Sequence, residues 1–274
     1  ITIDKKIYKN DHVRFVGSDY KKGEKVISAG EIINSSHILA FKSLGIERIV
    51  VKKKPIIIFY STGNEISEKK NIPDWKVRNS NSHYIKSLSK DLFFEVIDGG
   101  ILRDKDDKLF NKIIKKNFKS KYDIIITNGA VSTGKFDFVP RIINNFRLSK
   151  HFKGVAIRPG KPIMFAKFKN KNQSFFGLPG NPISSAACFK FFVYPYLRLI
   201  LNIKNEKSFK AKLKKSYIKK KNFTRFLKSK VFVNKKGVLE VEILKGQESF
   251  RIKSFTEANS WVLFRSGKSN LKRA

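Results

Sequence analysis

The chain has 274 residues, 41% of them hydrophobic, which is enough for a large domain with a real core and too many for a disordered segment. Lysine and arginine number 59 against 22 acidic residues, a formal charge of +37, and a single cysteine, Cys188, excludes an internal disulfide. No window offers the ~18 uninterrupted apolar residues of a membrane span. The opening ITIDKKIYKN lacks an apolar signal core, and His12, His37, His83 and His151 are scattered. Membrane insertion, secretion and zinc or iron–sulfur chemistry are thereby disfavoured, and a cytoplasmic protein is expected.

Ile, Asn and Phe are abundant alongside Lys while Met and Trp are scarce, the drift a codon bias imposes. Most of the charge is assigned to that bias, and the remainder to anion steering or to nucleic-acid binding through phosphate contacts.

In chain order, residues 1–54 read as short extended pieces and one helix, with Ser35 or Ser36 as N-cap, an apolar stripe of Ile38, Leu39 and Leu44, and Gly45 as the stop. Residues 55–202 read as an α/β domain with a parallel sheet. Within it, Pro55–Thr62 and Tyr122–Thr127 are continuous apolar runs, the pattern of strands buried on both faces. Between them lie a helix from Asn81 to Leu92, a strand over Phe93–Ile97 and a helix over Lys108–Phe118 with Leu109, Ile113 and Ile114 inward. A helix at Val139–Phe146 and strand-like pieces at Val155–Ile157, Ile163–Lys167 and Ser174–Gly177 follow. Asn181 then caps a helix with Pro182 in its first turn. From residue 203 to 274 Lys-rich segments with alternating apolar positions predict a small domain of short antiparallel strands.

In an open parallel sheet, ligands sit beyond the carboxyl ends of the strands. Four such ends carry unusual residues: Ser61–Glu65, Asp98–Asp104, Thr127–Gly134 and Leu178–Pro182. Glycines there allow positive φ and aim backbone N–H groups at an anion, which predicts a phosphate cradle. Glu65, Asp104 and Asp137 supply carboxylates for Mg²⁺, and Arg158 and Lys161 supply positive charge for a phosphate oxyanion. No Ser–His–Asp or Cys–His nucleophile is evident, so covalent catalysis is disfavoured.

The ordered motifs STGNE (61–65), NSNS (79–82), GGILRD (99–104), NGAVSTGKFD (128–137), RPGKP (158–162) and GLPGNPIS (177–184) resemble those of the molybdopterin molybdenumtransferases, the MoeA and gephyrin E-domain family. Upstream, residues 17–19 and 27–30 resemble the family segment before a helix ending SLGI. Downstream, Gln247, Ser249, Ser254 and Ala258-Asn259 resemble its C-terminal β domain. The resemblance implies a three-layer, MogA-like sheet domain followed by a small barrel-like β domain. It also implies a homodimer that uses Mg²⁺ to insert molybdate into adenylated molybdopterin with release of AMP. By position it assigns Glu65, Asp104 and Asp137 as catalytic and metal-binding residues. Substrate binding falls to Asp19, Thr62, Gly63, Ser80, Asn81, Gly129, Ser132, Gly134, Arg158, Lys161, Pro179, Gly180, Asn181 and Pro182.

Three positions depart from the family pattern: Asn64 stands for Asp, Ala130 for the second Gly of GGVS, and Arg158 for Lys. The chain also starts well inside the pattern, so a lid domain of the family is expected to lie outside it. A pterin-binding or scaffold protein of the same family is the alternative reading, and a nucleic-acid binder the third.

Overall fold

The computed structural model describes residues 4, 6, 8–131, 138–219 and 222–271. Contacts group them into two compact units, one from residues 1–52 and 201–204, the other from residues 53–200 and 205–274.

Among its described residues the first unit has one helix, α1 (Ser35–Ser43). Its N-cap is Asn34 rather than Ser35 or Ser36. The Asn34 Oδ1 accepts the His37 N–H at 3.1 Å, while His37 Nδ1 accepts the Asn34 N–H at 3.2 Å. The expected stripe is also corrected: Ile38, Leu39 and Leu44 are exposed, and Phe41 is the buried side chain. The stop at Gly45 holds, with φ +71° and the Ile46 N–H returning to Phe41 O at 2.8 Å.

The second unit opens with β1 (Ile56–Thr62), buried along its whole length. The short parallel pair β2 (Ile66–Ser67) and β3 (Val77–Arg78) follows. Then come α2 (Ser80–Asp91), β4 (Glu95–Leu102), α3 (Asp107–Asn117), β5 (Ile124–Asn128), α4 (Phe138–Asn144), β6 (Leu148–Lys153), β7 (Ile157–Arg158), β8 (Met164–Phe168) and β9 (Ser174–Leu178). The central sheet runs β4-β1-β5-β9-β8-β6. Its first four strands are parallel, as expected, and β8 and β6 extend it antiparallel, since no crossover helix joins β6, β8 and β9: residues 154–163, with β7, link β6 to β8, and a short turn links β8 to β9.

Alternation along the buried strands builds two cores. Ile57, Phe59, Ile124, Ile126 and Phe176 pack with Ile85 of α2 and with Phe189 and Val193, whereas Ile58, Tyr60, Ile125 and Phe175 pack with Phe110 and Ile114 of α3 and Val139 and Ile143 of α4. Helices therefore cover both faces, the three-layer arrangement. On α3 Ile114 is inward as expected, with Ile113 partly buried beside it, whereas Leu109, also expected inside, is 48% exposed and Phe110 takes the inward place.

Strand β4 runs past its expected end at Ile97. Phe59 pairs with Asp98 but Ser61 with Ile101, so one extra residue bulges out of β4 opposite Tyr60. A Cβ on Gly99 would overlap the Tyr60 ring, and Gly100 has φ +89°. These residues are thus a bulge inside a strand, not the loop the sequence predicts.

After β9, α5 (Pro182–Cys188) passes through a π turn (Phe189–Val193) into α6 (Tyr194–Ile200). The C-terminal part is made of β10 (Lys212–Leu213), β11 (Tyr217–Ile218), β12 (Thr224–Val233), β13 (Leu239–Ile243), α7 (Lys253–Thr256), β14 (Ser260–Phe264) and β15 (Asn270–Leu271). Long β12 lies between β13 and β14, both antiparallel to it, and β7 adds to its start in parallel. Phe191 of the π turn stacks on Phe226 at 3.9 Å between ring centroids, joining this sheet to the α/β layer.

Candidate functional site

Asn128, the last residue of β5, is buried at the carboxyl end of the central sheet. Its Oδ1 accepts the Asn81 Nδ2–H at 2.6 Å, and its Nδ2 donates to Pro179 O at 2.7 Å and Ser185 Oγ at 3.0 Å. The Asn81 Nδ2 also donates to Gly180 O at 2.7 Å, and Thr62 Oγ1 donates to Asn128 O at 3.0 Å. The Asn128 side chain therefore ties the end of β5 to the turn after β9, to α5 and to the start of α2, while its backbone carbonyl ties it to the end of β1.

Gly129 completes this junction. Its N–H donates to Leu178 O at 2.8 Å, its φ is +100°, and an added Cβ would lie 2.6 Å from Thr62 Oγ1 and 2.7 Å from Thr62 O. Only glycine fits such an approach. A Cβ added at Gly180 would stand 3.8 Å from the Gly129 Cα, ordinary contact, so the backbones after β5 and β9 pack closely here.

Helix α2 begins without a side-chain cap. The Asn79 amide is used elsewhere, accepting Ser61 Oγ–H at 2.9 Å and donating to Glu68, which also meets His83 Nε2 at 3.1 Å. In the first turn Ser82 Oγ is buried with no hydrogen-bond partner among the described residues. An uncapped helix start beside an unpaired hydroxyl suits an anion.

The acidic loops are tied by Arg103, whose guanidinium donates to Gly63 O and Ile66 O at 2.9 Å, and by Asn64 Oδ1, which accepts the Asp104 N–H at 3.3 Å. The Glu65 carboxylate lies over Gly63, in the space a Cβ would take, and Gly63 has φ +130°. Glu65 and Asp104 are thus carried by joined loops. Ser132, Gly134 and Asp137 lie outside the described residues, and Asp19 lies exposed in the other unit. Among the described residues no three acidic, His or Cys side chains converge as a metal cluster.

The 158–162 turn packs on α5, where a Cβ on Gly160 would come within 2.5 Å of Cys188 Sγ. Arg158 lies over the Phe223 ring at 4.8 Å, and Lys161 is exposed. Burial pushes the Cys188 thiol up from its ordinary value, which leaves it no nucleophile. Asn181 occupies the predicted cap position of α5 with Pro182 after it, but its side chain does not cap; its Nδ2 donates to Ser249 Oγ at 3.1 Å instead.

Sequence reasoning named Asn81, Thr62, Gly129, Pro179 and Gly180, and the structure brings them together. It missed the side chain of Asn128 as the hub, and Ser185 and Arg103 as supports. A polar residue closing the all-apolar run Ile124–Ile126 was the signal available for Asn128.

Fold and site together define a ligand-binding α/β domain of the kind that works at the carboxyl edge of a parallel sheet, joined to a β domain. The chain belongs to the family described as the probable molybdopterin binding domain, which residues 58–199 match, and residues 210–273 match the MoeA C-terminal region, domain IV. It is 31% identical to the molybdopterin molybdenumtransferase of Staphylococcus aureus strain COL over 276 residues, covering 99% of this chain and 64% of that one. It is 29% identical to the protein of the same name from Haemophilus influenzae over 269 residues, covering 96% and 65%. The molybdopterin biosynthesis MoeA protein of Pyrococcus horikoshii OT3 has the same fold, with TM-score 0.76 and 26% identity over 94% of this chain and 61% of that one. The chain thus spans less than two thirds of the length of these relatives. The resemblance read from the six motifs is borne out. Among the described residues, no helix is long and apolar enough to cross a membrane.

Proposed function

We propose that this chain acts in molybdenum cofactor biosynthesis, binding adenylated molybdopterin at the strand-end site and, with Mg²⁺, inserting molybdate with release of AMP. The Asn128 hub carries the reading, because together with Asn81 it gathers Thr62, Pro179 and Gly180 at the carboxyl edge where such domains hold ligands. The uncapped start of α2 with Ser82 suits the substrate's phosphate.

The donor chemistry fits Mg²⁺. Glu65 and Asp104 offer hard carboxylate oxygens on loops joined through Asn64, and neither is in an ion pair among the described residues. Bound by them and Asp137, the ion would supply charge neutralisation for breaking a phosphoanhydride, chemistry that needs no protein nucleophile. A cytoplasmic homodimer is the working form this reading carries with it.

The test is to mix the purified chain with adenylated molybdopterin, Mg²⁺ and molybdate and to measure AMP by chromatography. Release that stops when molybdate is omitted or Asp104→Asn is introduced supports the reading. Tight pterin binding with no AMP would support the second reading, a pterin-binding protein without turnover, to which the replacement of an acidic residue by Asn64 points.

A further inference from the structure

Lys228 lies in the middle of β12 and is 1% exposed. Among the described residues its ammonium is in no ion pair, although the Glu248 carboxylate is near enough to act on its charge. It donates to Gly246 O at 2.6 Å, Arg251 O at 2.9 Å and Glu248 O at 3.3 Å, which uses all three N–H donors on a single loop. Gln247 ties the same loop to the Lys228 backbone, its Oε1 accepting the Lys228 N–H and its Nε2 donating to Lys228 O, each at 2.9 Å. Ser254 Oγ donates to Gly246 O at 2.7 Å. A buried cation persists only where such acceptors surround it, so this loop is wrapped on the ammonium.

The outer side of the loop reaches the site. Ser249 O accepts the Ile183 N–H at 3.2 Å, in place of a side-chain cap on α5, and Ser249 Oγ accepts from Asn181 Nδ2 at 3.1 Å. Asn181 and Ile183 flank Pro182, and the carbonyls of Pro179 and Gly180 just before them are the ones held by Asn128 and Asn81. The turn is thus gripped from the sheet on one side and from the C-terminal domain on the other.

We propose that Lys228 is a positioning residue for the candidate pterin site: by wrapping residues 246–251 it sets Ser249 as a latch that fixes the Pro179–Pro182 turn. The proposal rests on the functional reading above for its ligand, but the latch can be read without it. In Lys228→Met, hydrogen exchange at the Ile183 amide should accelerate by tenfold or more (~1.4 kcal/mol of lost protection) while the β1 and β5 amides keep their protection. The dissociation constant for molybdopterin should rise roughly tenfold, and Asn181→Ala combined with Lys228→Met should weaken binding no further than either alone. Should Lys228→Met fail to fold, Lys228→Gln, which keeps two donors and brings no charge, carries the same measurements. Unchanged Ile183 exchange in a folded variant, or additive losses in the double variant, would overturn the proposal. Should the unaltered chain bind no pterin while Ile183 exchange still follows Lys228, the functional reading fails and the latch stands.

Discussion

Asn64 Oδ1 holds the backbone N–H of Asp104 at 3.3 Å, so the loop bearing Glu65 and the loop bearing Asp104 are fastened through the residue that departs from the family's acidic pattern. An Asp at this position keeps the acceptor and adds a negative charge between two other carboxylates. Asn64→Asp should therefore lower the Mg²⁺ concentration for half-maximal AMP release by roughly tenfold. Asn64→Ala should raise it, since it frees the Asp104 loop. A Mg²⁺ titration in which Asn64→Asp behaves like Asn64→Ala would show that the hydrogen bond, and not the charge, is what matters here.

Gly129→Ala places a methyl against Thr62 Oγ1 and Thr62 O at 2.6 and 2.7 Å, on a backbone at φ +100°. Thr62 is on buried β1 and cannot retreat. A loss of about 3 kcal/mol is expected in urea unfolding, from overpacking and backbone strain together. A loss under about 1 kcal/mol would mean that the β5 and β1 ends separate easily, contrary to the hub described for Asn128.

What the sequence made legible follows from burial. Strands β1, β5 and β9 are covered on both faces, so the apolar stretches Ile56–Tyr60 and Ile124–Ile126 and the pair Phe175-Phe176 announce them. Strand β4 was read short because Gly99 and Gly100 look like a loop, and their contact with Tyr60 is a matter of three-dimensional register. Strand β6 was missed because an edge strand such as Leu148–Lys153 carries Ser, Lys and His and shows no core pattern. At the site, glycines and asparagines marked the right loops. The hub role of Asn128 could not be read, since its side-chain partners stand 47, 51 and 57 residues away.

Ala130 adopts φ +51°, a left-handed conformation that costs a residue with a Cβ about 1 kcal/mol, at the position where the family pattern has glycine. Ala130→Gly removes that strain and adds unfolded-state entropy, so the terms partly cancel. A net gain of about 0.5 kcal/mol is expected, seen as a small rise in melting temperature. Destabilisation by more than about 1 kcal/mol would show that the Ala130 methyl contributes more through its packing on the Val131 and Phe138 core than it costs in strain.

Cys188 is sealed between α5 and the 158–162 turn, its Sγ donating weakly to Gly160 O at 3.6 Å. Burial raises its thiol, so the reactive thiolate is scarce at neutral pH and rises only in strongly alkaline solution. The native chain should leave a disulfide reagent unreacted at about pH 8, and one equivalent should react in denaturing guanidinium. Rapid stoichiometric labelling of the native protein would mean that the turn carrying Arg158 and Lys161 opens readily from α5.

Replacing Asn128 tests the hub itself. Asn128→Leu removes one acceptor and two donors at once, leaving Asn81 Nδ2, Pro179 O and Ser185 Oγ to lose partners in a site without water-exposed alternatives. Unpaired buried groups cost about 1–3 kcal/mol each, partly recovered by relaxation, so about 3 kcal/mol of stability should go. Asn81→Ala removes the facing partner, so the double variant should lose clearly less than the sum of the two single losses. Molybdopterin binding should fall in the same order, because the turn at Pro179 and Gly180 is held through both amides. Strict additivity in urea unfolding would show that the two asparagines act separately and that the strand ends are fixed by the sheet alone.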